Sequence, residues 1–191
     1  MSLKSLRHSW LKSLVFQAWL WDAKQKINKI NILEHKLLDI GCGPGSVCLL
    51  LKQRGHDVTA LDVEDLSFTP EVKPLLYDGK KIPFENDAFD VALLLTVLHH
   101  TPDPKAILLE AKRVARKIIV IEDVYRNRLQ QCLTYFFDSL FNLEFFGHPH
   151  SNKTEAQWQA LFAELGLKLQ QTDSWRFLLL FRQALYVLER A

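Results

Sequence analysis

Three cysteines and one methionine in 191 residues leave little room for sulfur chemistry. An odd number of thiols cannot close a disulfide framework, and no C-x-x-C or H-E-x-x-H spacing occurs. Neither a stapled secreted domain nor a structural or catalytic zinc is indicated. The expectation is free thiols in a reducing cytoplasm, and no metal. Long apolar runs are missing too: none reaches the roughly twenty residues of a membrane span. The N-terminus lacks the apolar core and cleavage site of a secretory signal. Nor is there a broad basic surface, since the net charge is only +2. The basic excess is local: Lys4, Arg7, Lys12, Lys24, Lys26 and Lys29 stand against Asp22 alone in residues 1–30. That argues against a nucleic-acid partner. There is no internal repeat, and 48% hydrophobic with 24% charged residues is the balance of one ordinary globular domain over 1–191.

Glycine is also scarce, at seven residues, yet three of them fall within one stretch, residues 37–46, LLDIGCGPGS. Leu37, Leu38 and Ile40 read as a short strand buried on both faces, as in a parallel sheet. Gly41, Cys42, Gly43, Pro44 and Gly45 form a turn too poor in side chains to serve packing alone. Val47 to Leu51 then begin a helix. A strand, a glycine turn and a helix N-terminus present backbone N–H groups to a ligand. A dinucleotide fingerprint would place its third small residue three positions after the second glycine. Here Gly45 comes one position early, and Asp39 precedes the turn. A carboxylate there would repel a pyrophosphate and suit a ligand carrying an ammonium group. A nicotinamide-dependent oxidoreductase is therefore the weaker alternative.

Further on, 58–61 reads as a second strand closed by Asp62, an acid at the carboxyl end, where open α/β sheets bind ligands. There it can accept hydrogen bonds from a pair of ribose hydroxyls. The link to a third strand at 74–77 is so short that its helix must be vestigial or absent. Residues 77–90, YDGKKIPFENDAFD, join an acid and a glycine to a Pro-Phe turn. Asp78 there either faces a ligand or caps a turn. A fourth strand, 91–95, ends in TVLHHTPDP, which puts Thr96, His99 and His100 at the pocket mouth. A helix over 104–115 starts at Pro104. Residues 115–117 look like a short connection to a fifth strand at 118–121, followed by Glu122, Asp123 and Tyr125.

These segments resemble the class I S-adenosylmethionine-dependent methyltransferases, over residues 35–123. The resemblance implies a Rossmann-like, doubly wound α/β sheet of seven strands, order 3-2-1-4-5-7-6, ending in an antiparallel hairpin. It implies S-adenosylmethionine as cofactor, bound by Asp39, Gly41, Cys42, Gly43 and Gly45. Asp62 would take the ribose with Val63 against the sugar or base, Asp78 and Gly79 the adenine, and the Leu95 backbone the methionine portion. His100 matches a position that often faces cofactor or acceptor, and is the favoured catalytic group. Asp123, Tyr125, His148 and His150 are further acceptor-side candidates. The acidic set of metal-dependent catechol enzymes is not recognisable. The implied partner is a small-molecule methyl acceptor, apolar or aromatic.

Three flanking regions complete the reading. In residues 1–30, Trp10, Leu14 and Ala18, with Leu11, Val15 and Trp19 beside them, form one wide apolar helical face. Such a helix either caps the cofactor pocket or lies on an anionic membrane surface. Residues 124–166 would build the acceptor side, with a phenylalanine stripe at Phe137, Phe141 and Phe145 and a Thr-capped helix over 154–164. Strands at 167–172 and 177–188 would form the hairpin. A non-catalytic member of the fold, binding a partner protein through the apolar segment 133–146, is the alternative from another functional class.

Overall fold

A computed structural model describes residues 9–125, 153–177 and 181–190. The phenylalanine stripe, His148, His150 and Cys132 lie outside the described residues.

Helix α1 (Ser9–Ile27) leads into strand β1 (Lys36–Ile40), and the glycine turn into helix α2 (Ser46–Gln53). Strands β2 (Asp57–Asp62), β3 (Leu75–Leu76) and β4 (Phe89–Leu95) follow, then a 3-10 turn at Leu98–His100. Helix α3 (Pro104–Val114), strand β5 (Ala115–Val124), helix α4 (Glu155–Glu164) and strands β6 (Leu167–Phe177) and β7 (Phe181–Arg190) complete the chain. The seven strands form one sheet in the order β3-β2-β1-β4-β5-β7-β6. β1 to β5 pair in parallel, and β7 pairs antiparallel with both β5 and β6. Fold class, strand order and hairpin agree with the sequence reading.

Strand alternation sends side chains to two cores. Leu38, Ile40, Ala92, Leu94, Ile118 and Val120 pack with Ile107, Leu108 and Ala111 of α3 and with Trp158 and Phe162 of α4. Leu37, Val91, Leu93, Ile119 and Ile121 meet Ile27 of α1 and Cys48 and Leu51 of α2 on the other face. Burial on both sides explains the nearly unbroken apolar runs of β1, β4 and β5. Local capping agrees: Asp103 accepts from the Ala106 N–H ahead of Pro104, and Thr154 with Gln157 makes a reciprocal capping box.

Four details differ from the sequence reading. Residues 115–117 are not a connection: α3 ends at Val114 and β5 begins at Ala115, because Ala115 pairs at once with Phe89 and is fully buried. β3 is only two residues, both exposed at the sheet edge, with no helix before it. In the hairpin, a bulge between Leu169 and Gln171 lets β6 run on to Phe177. Finally, α1 buries only one side of the expected face. Leu14 is 60% exposed and Ala18 is exposed, while the row of Val15 and Trp19 turns inward and continues through Ala23 and Ile27. Phe16 and Trp19 select this rotation by packing on Phe68, at 6.1 and 4.8 Å between ring centroids. Apolar residues nearly encircle this helix, so its pattern alone could not choose the face.

Candidate cofactor site

The carboxyl ends of β1, β2, β4 and β5 meet in one place, and the glycine turn forms its floor. Gly41 has φ 71°, and a Cβ there would lie 2.1 Å from Val97 Cγ2, so this glycine serves packing. Gly43, at φ 49°, differs: nothing lies within 4 Å of where its side chain would stand. Its N–H donates to Asp62 Oδ2 at 2.8 Å. Gly45, at φ 79°, opens α2 without a side-chain cap, and the Cys42 carbonyl accepts its N–H. Gly41 and Cys42 N–H both donate to the Leu61 carbonyl, which ties the turn to β2.

Asp62 is buried at the tip of β2, and its Oδ1 accepts from the Val63 N–H at 2.7 Å. Oδ1 also accepts a longer bond from the Glu64 N–H at 3.4 Å, so Oδ2, with the Gly43 N–H as its one partner, is the oxygen that keeps a lone pair for a hydroxyl. Val63 is 60% exposed, and a Cβ on Gly79 would lie 3.2 Å from Val63 Cγ1. These two residues therefore border the same gap. Asp78 is exposed and accepts from Lys80 and Lys81 N–H, the turn-capping geometry; those bonds hold its carboxyl below the usual range.

Asp39 is buried beneath the turn, with the Cys48 thiol donating to it at 3.1 Å. Burial pushes its carboxyl up to about 6; the Asp62 charge adds to this, and the Cys48 bond and Lys26 oppose it. The Cys48 thiol is pushed far up by its hydrogen bond with Cys42, by burial and by the Asp39 charge, so it stays a donor.

The other half of the site is made by side chains. Lys26 of α1 is buried, 2.7 Å from Asp22 Oδ2 and 2.9 Å from Thr96 Oγ1. Thr96 follows β4 at φ 58°, and its hydroxyl donates to the Leu95 carbonyl. Leu95 itself is buried on the α1–α2 side. The Asp123 carboxyl is raised by burial, opposed by the charges of His99 and Lys26. Glu122, fully buried, accepts Val97 and Leu98 N–H with Oε1 and lies 2.6 Å from His99 Nδ1 through Oε2. His100 is half-buried, its ring 4.0 Å from that of His99.

Residues 38–118 match the family model described as "Methyltransferase domain". The matched stretch runs from β1 into β5 and holds the glycine turn and Asp62. Over 89 residues the chain is 34% identical to a ubiquinone biosynthesis O-methyltransferase of Idiomarina loihiensis, covering 41% of this chain and 37% of that protein. A sterol 4-C-methyltransferase of Caenorhabditis elegans is 26% identical over 148 residues, 69% of this chain and 44% of that protein. The chain thus spans less than half the length of these curated relatives. Among solved structures, a putative methyltransferase from Bacillus halodurans C-125 superposes with a TM-score of 0.69 at 14% identity, covering 88% of this chain and 98% of that one.

Within the matched stretch, Asp39, Gly41, Cys42, Gly43, Gly45, Asp62, Val63 and Gly79 lie along the turn and around the tip of β2. Lys26 and Glu122 are buried charged groups, and Asp22 a half-buried one, that sequence reasoning passed over. The i,i+4 pair Asp22–Lys26 and an acid closing the run IIVI were the available signals. Among the described residues, no group of three His, Cys, Asp or Glu side chains could hold a metal ion. No helix among them is long and apolar enough to cross a membrane.

Proposed function

We propose that the protein is a cytoplasmic S-adenosylmethionine-dependent methyltransferase acting on a small, apolar or aromatic molecule. The observation that carries this reading is the open space over Gly43 next to the Asp62 carboxylate. A glycine whose missing side chain leaves a clear approach, beside an acid with spare acceptor capacity, fits a nucleoside ribose. Asp39, buried with a single thiol donor, is under-satisfied as a carboxylate and favours a nearby cation. That donor set suits a positively charged nucleoside and disfavours a pyrophosphate, which argues against nicotinamide chemistry.

In this assignment Asp62 holds the ribose hydroxyls, and Val63, Asp78 and Gly79 border the base. Gly41, Cys42, Gly43 and Gly45 supply the close backbone surface, and the Leu95 backbone lines the amino-acid portion. When bound, the cofactor supplies an electrophilic methyl group on a sulfonium. The chain's contribution is then positioning, which accounts for most of the rate in an in-line transfer. His100 is placed on the acceptor side to take a proton from an acceptor that must lose one. The relatives named for ubiquinone biosynthesis and for sterols support an acceptor that is largely hydrocarbon.

Isothermal titration with S-adenosylhomocysteine tests the reading. Saturable one-to-one binding is expected, with no heat from NADH under the same conditions. No binding at millimolar ligand would remove it.

A further inference from the structure

Glu122 makes more hydrogen bonds than any packing role at the tip of β5 requires. Its Oε1 receives the Val97 and Leu98 N–H groups at 3.0 and 2.7 Å, and its Oε2 faces His99 Nδ1 at 2.6 Å. Two lone pairs do not approach so closely without a proton between them, and a carboxyl group whose other oxygen accepts two N–H bonds is in the ionised, acceptor-only form, which assigns the proton to Nδ1 as donor. This bond fixes the tautomer and the ring plane of His99, which is itself buried. His100, the next residue, packs its ring on that of His99 at 4.0 Å and 44°. The turn that carries both rings is held from below by the same carboxylate.

We propose that Glu122 is a positioning residue which, through His99, sets the orientation and proton affinity of His100. The arrangement is a two-step support. The carboxylate orders the 97–100 backbone with one oxygen and the His99 imidazole with the other. His99 then presents a fixed face, with its other ring nitrogen in a defined protonation state, to the half-buried His100 ring. A flexible loop histidine would lose orientational freedom on meeting its acceptor; one seated on a buried anchored ring has already lost it. Other charged and titratable groups bear on the pair from three elements. Asp123 from β5 feels the His99 charge, Lys26 from α1 acts on Asp123, and the Tyr186 hydroxyl from β7 feels Glu122. None of them bonds His99 Nδ1 in place of Glu122. That His100 serves methyl transfer rests on the function proposed above; the support of His100 by Glu122 and His99 does not.

The test uses Glu122→Gln in the full chain. The amide oxygen can replace Oε1 and keep both backbone bonds, so the shape of the turn survives. The amide nitrogen replaces Oε2 and can only donate, so His99 must turn Nδ1 into an acceptor and carry its proton on Nε2. Nitrogen-15 imidazole spectra at alkaline pH should therefore show Nδ1–H for His99 in the natural protein and Nε2–H in the variant. The titration midpoint of His100 should move by about half a pH unit or more. An unchanged His99 tautomer, or a changed one with an unmoved His100 midpoint, overturns the proposal. Should Glu122→Gln fail to fold, His99→Asn carries the test: its amide can still donate to Oε2, and only the imidazole is lost. His100 must then shift its midpoint, and an unmoved His100 again overturns the proposal. S-adenosylhomocysteine titrations on the same samples separate the two readings. Failure of the natural protein to bind removes the methyltransferase function and leaves the histidine spectra to decide the role of Glu122.

Discussion

Asp39 and Glu122 are both acids at the carboxyl tips of parallel strands, and both are buried, yet they are satisfied unequally. Glu122 receives three N–H donors, two from backbone and one from His99. Asp39 receives one thiol, a weak donor, and its carboxyl rises to about 6 through burial. A fully bonded buried carboxylate stabilises the fold around it. One left short of donors is stabilised only when something else arrives. The two strand tips therefore divide the work: β5 orders the turn at 97–100, and β1 keeps unspent electrostatic attraction beneath the glycine turn.

The comparison is most sharply broken at Glu122. Glu122→Ala should lower the unfolding free energy by about 3–5 kcal/mol, since two backbone N–H groups and His99 lose a buried charged partner. Urea denaturation measures this, and a loss under 1 kcal/mol would place Glu122 in the same class as Asp39.

Asp39 should behave in the opposite sense. Its carboxyl is higher in the folded chain than its ordinary 3.8, so the folded state favours the protonated form. Stability from this group is full below about pH 4 and is lost as pH rises through about 6, by up to about 3 kcal/mol. Asp39→Asn should flatten that part of the stability–pH curve; an equally steep curve in the variant would assign the slope to another group. The smallest effect is expected at Asp62, which holds its backbone partners whether or not a ligand is present. Asp62→Ala should weaken S-adenosylhomocysteine binding by about 1–3 kcal/mol in a calorimetric titration. Undiminished affinity would take the ribose away from β2.

The contrast also explains what could be read in advance. The β1–β2 half is a local motif: Asp39, the glycine turn and Asp62 follow one another within a single strand–turn–helix–strand segment. Their order in the sequence is nearly their order in space. The β4–β5 half is assembled from distant pieces, with Lys26 meeting Thr96 across 70 positions and Val97 meeting Glu122 across 25. No spacing rule links such partners, so Glu122 reads only as a strand-end acid and Lys26 only as a basic residue of the first helix. The face chosen by α1 was hidden for the same reason, because Phe68 decides it. The sheet order, in contrast, follows from buried parallel strands and a terminal hairpin, which leave few alternatives.

The direct passage from Val114 into Ala115, with no linking residue, has a consequence for how this chain can vary. Strand residues change sides at every step, so one residue added at that junction would slide β5 by one position and exchange the directions of Glu122 and Asp123. Histidine support by Glu122 and the electrostatic coupling of Asp123 to Lys26 would fail together. Length variation there is tolerable only in pairs, or where a new loop absorbs it before the first rung of the ladder.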